Sequence, residues 1–294
     1  MNLTKQPQTL ILLLLVMSGG VYAQTGVLHK DFKALSYGFE SSLDNWVRLG
    51  GGGERSTEEA ISVSSKVRAQ GKYSCKFSLA PQQTVAGGNR AELTYDPNLQ
   101  EGDTIWLSYS LYIPKTYTDS PLNDTNGLVN WQVLGQWHQQ PVWSEGETWN
   151  TYSSNHESPP IAVYYNYFDR NDPNFQRILN DVTLQSVYGF NANWNKVSTL
   201  SIGYGDSTIA VSKIEKGSWI RLKFNIKWST QNDGYIQAWI NDSEWTNGKV
   251  YGANMRNKAS HYFKFGLYRN PNIPSTNTVY YDDLRLATNE IEGD

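Results

Sequence analysis

The chain has 294 residues, with 25 Lys and Arg against 28 Asp and Glu and a formal net charge of −3. With no basic excess it offers no electrostatic footprint for nucleic acid, and its length is enough for one large domain with a full core. Charged residues are 18%, aromatics 13% with 11 Trp and 19 Tyr, and Gly numbers 24. That composition does not suit a helical bundle; it suits an all-β sandwich or barrel, with rings on which the C–H faces of sugars can stack.

In chain order, the N-terminus comes first. Lys5 precedes an apolar run from Leu10 to Met17, then small residues and Val21-Tyr22-Ala23. A charged start, a short apolar stretch and a small-residue cleavage site predict a secretory signal peptide over residues 1–23, and the run is shorter than the roughly 20 residues a membrane span needs. Cleavage removes one charged residue, Lys5. Residues 24–294 are then expected as a single, soluble, monomeric domain, secreted or periplasmic, with no membrane contact. Cys75 is the only cysteine and has no internal partner; its alternation with Tyr73 and Phe77 marks a buried structural thiol.

Beyond the leader, short β-like runs alternate with Gly, Pro, Asn and Asp. They are Tyr73 to Leu79, Arg90 to Tyr95, Thr104 to Ile113, Val129 to His138, Ile161 to Phe168, Trp219 to Trp228, Tyr235 to Ile240, Tyr262 to Tyr268 and Thr278 to Leu286. Asp172 to Asn180 is expected to hold one or two helical turns, and Gly50 to Gly53 and Asp119 to Gly127 to be surface loops. Such spacing predicts a large sandwich or jelly roll.

Period-two alternation sorts the side chains within each strand. Arg90 and Glu92 oppose Ala91 and Leu93. Gln132, Leu134, Gln136 and His138 oppose Trp131, Val133, Gly135 and Trp137. Tyr262, Lys264, Gly266 and Tyr268 oppose Phe263, Phe265 and Leu267, and Lys223, Asn225 and Lys227 oppose Leu222, Phe224, Ile226 and Trp228. If these strands are neighbours, their polar faces line one concave cleft.

A His, a Tyr, a Gln and an Arg on one sheet face suit β-elimination across a 4-linked uronic acid. The C5 proton is weakly acidic, so the neighbouring carboxylate must be neutralised by a cation or amide donors as an enolate develops. One group takes the proton and another protonates the departing glycosidic oxygen. Arg90 and Gln136 are the carboxylate donors; His138 and Tyr268 are the base and acid, in either order. Glu92, Lys223, Lys227, Lys264 and Arg269 complete the expected substrate-binding set. This chemistry requires no metal or organic cofactor.

The same residues carry a family resemblance. Asn89-Arg90-Ala91-Glu92-Leu93, Gln136-Trp137-His138 and Tyr262-Phe263-Lys264-Phe265-Gly266-Leu267-Tyr268-Arg269 resemble, in this order, the three blocks of jelly-roll polysaccharide lyases. Alginate lyases, glucuronan lyases and the heparin lyase I group share this pattern. Asp233 to Asp242 and Tyr280 to Leu284 resemble the hairpin and final strand of the glucuronan and heparin lyase-like branch. The resemblance implies a concanavalin-like jelly roll with a cleft on its concave sheet, an acidic polysaccharide as substrate, and the four catalytic roles on Arg90, Gln136, His138 and Tyr268. Thr94 and Arg269-Asn270 stand where alginate-type blocks usually carry Arg and Asn-Gln, which favours glucuronan or a related polyuronate. Glu40 and Asp282 resemble residues at the terminal-strand seam of carbohydrate-binding jelly rolls, which implies a structural Ca²⁺ there.

Two other classes compete. A sandwich-type glycoside hydrolase needs paired carboxylates on one strand, and the nearest match, Glu101-Gly102-Asp103, has Trp106 where the second Glu belongs. A non-catalytic carbohydrate-binding module has no need of His138 and Tyr268 together. His29 is read as a surface residue, His156 as a loop residue that can edge the cleft, and His261 as structural.

Overall fold

A strand of alternating apolar and polar residues can bury only one face, and the chain meets this constraint by stacking two antiparallel sheets. A computed structural model describes residues 33–40, 43–86, 88–120, 130–152, 159–172, 180, 185 and 193–292. The expected signal peptide, His29 and His156 lie outside the described residues, as do most of the expected Asp119 to Gly127 loop and most of the expected helical turns after Asp172.

The strands are β1 (Leu35–Tyr37), β2 (Gly52–Arg55), β3 (Ile61–Ser64), β4 (Ser74–Leu79), β5 (Thr84–Val85), β6 (Gly88–Tyr95), β7 (Thr104–Tyr112), β8 (Gln132–His138) and β9 (Ile161–Asp169). They continue with β10 (Lys196–Tyr204), β11 (Ser207–Lys213), β12 (Trp219–Lys227), β13 (Tyr235–Ile240), β14 (Ser243–Glu244), β15 (Val250–Tyr251), β16 (Tyr262–Arg269) and β17 (Asn277–Ala287). The front sheet runs β11-β10-β9-β8-β16-β6-β2, with β5 beside β6. The back sheet runs β14-β13-β12-β7-β17-β4-β3, with β1 beside β17 and β15 beside β13. Gly50 to Gly53, expected as a loop, instead runs into β2, which pairs with β6. A five-residue helix, Asp44–Arg48, precedes it.

The core between the sheets is aromatic. Phe265 packs edge-on against Phe77 and Trp46, and Tyr281 against Phe77, with centroids 5.3–5.7 Å apart. Burying each such ring contributes roughly 1.5–3 kcal/mol. Cys75 is fully buried, as its alternation implies. His261 is buried too: its Nε2 accepts from the Arg256 N–H and its Nδ1 donates to the Ala259 carbonyl.

Strict alternation fails in β8. Its register against both β9 and β16 shifts between Val133 and Gly135. This bulge changes which face each residue meets. Trp131 and Val133 reach the same outer cavity as Gln136 and His138, while Leu134 and Trp137 are buried in the core. Gly135 faces inward, where an added Cβ would lie 2.8 Å from the Tyr109 hydroxyl.

Candidate functional site

The front sheet's outer face opens into a cavity of about 730 Å³ lined by β2, β6, β8, β9 and β16 together with Trp149 and Pro159 from loops. Arg90, Gln136, His138, Lys264 and Tyr268 all line it. Pairing places them together: Tyr268 lies opposite Arg90, Lys264 opposite Gln136 and Tyr262 opposite His138.

Two carboxylates and two cations form the floor. Glu54 Oε2 accepts from Arg90 Nη1 at 2.8 Å and from Lys264 Nζ at 3.0 Å. Glu92 accepts from Gln136 Nε2 at 2.6 Å, and its other oxygen lies 3.2 Å from Lys264 Nζ. Burial opposes ionisation of Glu54, but Lys264 and Arg90 outweigh it and hold the carboxyl below the usual range. Burial likewise opposes the Arg90 charge, and Glu92 and Glu54 outweigh it. The floor is therefore a neutral quartet whose members are locked in place, since removing any one strands a charge in a low-dielectric setting.

Arg90 also stacks on Tyr268, its guanidinium carbon 3.9 Å from the ring centroid, while Trp131 meets the same ring edge-on at 4.6 Å. Gly88 makes the stack possible. A Cβ there would sit 2.4 Å from the Tyr268 ring and 2.8 Å from Arg90 Nη2.

His138 stands at the other end, with Tyr262 at 5.5 Å and Trp149 at 6.1 Å between centroids. Its Nδ1 lies 2.6 Å from the Gln139 carbonyl oxygen. A carbonyl can only accept, so Nδ1 carries the proton and Nε2 keeps a lone pair. Burial lowers the imidazole to about 4, helped by the positive charges of Lys264 and Arg90. The ring is neutral at physiological pH.

Four expected binding residues need correction. Glu92 is buried beneath the cavity floor and holds Gln136 and Lys264 rather than meeting a ligand. Arg269 is fully buried, donating to Asn89 Oδ1 and to the Leu79 and Ser275 carbonyls. Lys223 and Lys227 lie on β12 of the back sheet, where they pair with Glu290 and Asp233. The strands carrying the polar faces are thus divided between two sheets and do not form one surface.

Glu40 and Asp282 both hold the loop preceding β4. Glu40 accepts from the Lys72 N–H, and Asp282 Oδ2 from the Ala69 and Gln70 N–H groups. Calcium sites are built from oxygen ligands, whereas these carboxylates face N–H donors whose positive ends oppose a cation. Among the described residues no three His, Cys, Asp or Glu side chains gather as metal ligands. The pair does not fit the calcium expectation.

Sequence reasoning missed Glu54, which directly follows the Gly50 to Gly53 run expected to be a loop; only its register opposite Glu92 reveals it. It also missed Trp131, hidden by the β8 bulge, and Tyr164, whose strand neighbour Val133 brings it to the cavity.

The polysaccharide lyase family model matches residues 40–285. No curated protein is significantly similar to the chain. Among solved structures, an endo-β-1,4-glucuronan lyase from Trichoderma reesei aligns with a TM-score of 0.50 at 15% identity, over 77% of this chain and 86% of its own. An alginate lyase in complex with alginate tetrasaccharide gives 0.51 at 13%, over 89% and 99%. A GH131 β-glucanase catalytic domain from Podospora anserina gives 0.51 at 10%, over 81% and 84%. Lyase and hydrolase thus share this architecture, and the fold does not choose between their chemistries.

Proposed function

The chain belongs to the polysaccharide lyase family, and from that premise we propose that it cleaves an unsulfated, 4-linked polyuronate, glucuronan or a close relative, by β-elimination. Arg90 and the free N–H of Gln136 neutralise the uronate carboxylate. The C5 proton passes to His138 Nε2, the C4–O bond breaks as the C4–C5 double bond forms, and the Tyr268 hydroxyl protonates the departing oxygen. One observation carries the assignment of base and acid. The neutral His138, with Nδ1–H committed to Gln139, has only a lone pair to offer at Nε2. No cofactor enters the sequence.

Glu54 and Glu92 are the carboxylates a hydrolase reading would need. Glu54 is held ionised and Glu92 is spent on Gln136 and Lys264, so neither is poised as a proton donor. The neutral floor also supports an unsulfated polymer, because its two cations are already offset by its two carboxylates. The protein acts as an exported monomer, in keeping with the leader-like N-terminus. Among the described residues no helix is long and apolar enough to cross a membrane.

The test is a panel of glucuronan, alginate, heparin and neutral β-glucan, read by ultraviolet absorbance of unsaturated uronate and by product mass. Reducing ends without absorbance indicate hydrolysis. Faster cleavage of heparin than of the unsulfated polymers overturns the substrate class.

A further inference from the structure

The outer face of the back sheet carries a second group of aromatics that the cleft does not use. Strand pairing aligns Trp219 with Tyr112, Tyr112 with Tyr280, and Tyr280 with Lys76, in one row across β12, β7, β17 and β4. The rings are close neighbours, with centroids 5.4 and 5.9 Å apart. All three are partly exposed. At strand spacings of about 4.8 Å the aromatic row is roughly 10 Å long, the length of about two pyranose rings.

Beside this row the loop over residues 66–71 forms the wall of a groove of about 540 Å³, lined by Lys66, Arg68, Gln70, Tyr112 and Trp219 among others. The loop is built, not loose. The buried Asp282 fixes it through the Ala69 and Gln70 N–H groups, Glu40 holds its end at Lys72, and the Ser74 hydroxyl ties down the Val67 carbonyl. The two carboxylates expected to bind calcium are the anchors of this wall.

Charge separates this groove from the rest of the same face. Further along the sheet, Lys223 pairs with Glu290, Lys227 with Asp233, Arg221 with Asp242 and Arg285 with Asp283. Among the described residues, Lys66 and Lys76 make no ion pair, and Arg68 is engaged only with the Ser65 carbonyl. An aromatic row whose rings are tilted against one another, at 49° and 74°, and edged by uncompensated cations offers both ring faces and charge to a sugar chain that carries carboxylates.

We infer that this groove is a second binding site for an acidic polysaccharide, on the sheet opposite the cleft, and that it holds the polymer while the cleft cuts it. The choice of an acidic chain as occupant rests on the proposed lyase function; the aromatic row and its cations are independent of it. Two sites on one polymer raise apparent affinity without altering the chemistry of either.

Electrophoresis through gels containing alginate, polyglucuronate or neutral β-glucan tests this, with Trp219→Ala and the surface pair Lys66→Glu/Lys76→Glu as variants. Retardation by the acidic gels should fall by about fivefold or more in both, while kcat/KM on a uronate tetrasaccharide, which fills only the cleft, stays at the parental value. Unchanged retardation in both variants overturns the inference, as does loss of β-glucan binding alone. Retention by acidic gels that depends on Trp219, in a protein that cleaves none of the polymers, upholds the site and sinks the lyase reading. Should Trp219→Ala misfold, the charge-reversal pair alone decides.

Discussion

Tyr268 and His138 differ in what their removal takes away. Tyr268→Phe deletes one hydroxyl and leaves the ring between Arg90 and Trp131, so polymer binding should survive while kcat falls by roughly 10² or more, the scale of acid–base catalysis. His138→Ala should lose a similar factor. Product absorbance at the parental rate in Tyr268→Phe removes that residue from the mechanism. Because His138 must be neutral to accept a proton, kcat/KM should hold level as pH falls from 7 and collapse only towards about 4. An acid limb near 6.5 contradicts a buried, neutral base. Glu54 works differently. Glu54→Gln keeps an acceptor for Arg90 and Lys264 but removes the charge that offsets them. The floor becomes net positive, and the ratio of kcat/KM on a sulfated polymer to that on an unsulfated one should rise severalfold. An unchanged ratio means that charge balance at the floor does not set selectivity.

At the scale of elements, β8 helps to determine which residues meet in the cleft, and Gly135 sits at its bulge. An Ala there meets the Tyr109 hydroxyl at 2.8 Å in a packed core, so Gly135→Ala should destabilise by about 1–3 kcal/mol. Among the described residues the buried Tyr109 hydroxyl has no hydrogen-bond partner. Tyr109→Phe should therefore be nearly neutral alone and should restore much of the lost melting temperature when added to Gly135→Ala. A double variant no more stable than Gly135→Ala shows that the clash lies elsewhere. The bulge also marks how far the sequence can be read. The strands placed by alternation all exist, and β6 and β16 pair with each other without a register shift, so Arg90, Lys264 and Tyr268 could be read from sequence. The same period puts Arg269 beside Phe263, Phe265 and Leu267, which signals burial; its charge drew it wrongly to the cleft. Alternation cannot say which sheet a strand joins, and that misplaced Lys223 and Lys227. Strands β10 and β11 went unread because Ser and Thr fill much of both runs, which weakens the apolar signal at this sheet edge. Glu54 needed the pairing of β2 with β6, a long-range contact with no local trace.

Over the whole molecule, two buried histidines tie the fold to pH. His261 and His138 are each lowered to about 4, chiefly by burial. The unfolded chain takes up these protons at the ordinary histidine value of about 6.5, so between about 6.5 and 4 it binds more protons than the folded protein, and stability must rise with pH across that window. The stabilisation is complete above about 6.5 and is lost as pH falls towards 4. For the fully buried His261 the difference is on the order of 3 kcal/mol. Glu54, held below its usual range, adds a further loss at lower pH; Asp282, pushed up by burial, acts in the opposite sense and offsets part of it. Urea midpoints measured from pH 7.5 to 4.5 should therefore fall steadily below about 6.5. His261→Phe should be less stable at pH 7.5, having lost the bonds to Arg256 and Ala259. Its midpoint should nevertheless depend less on pH across the same window, because one of the two protons no longer differs between the folded and unfolded states. The slope is the discriminating quantity. A purely structural role for His261 lowers the whole curve and leaves its slope unchanged, and that result removes the histidine as a source of acid sensitivity.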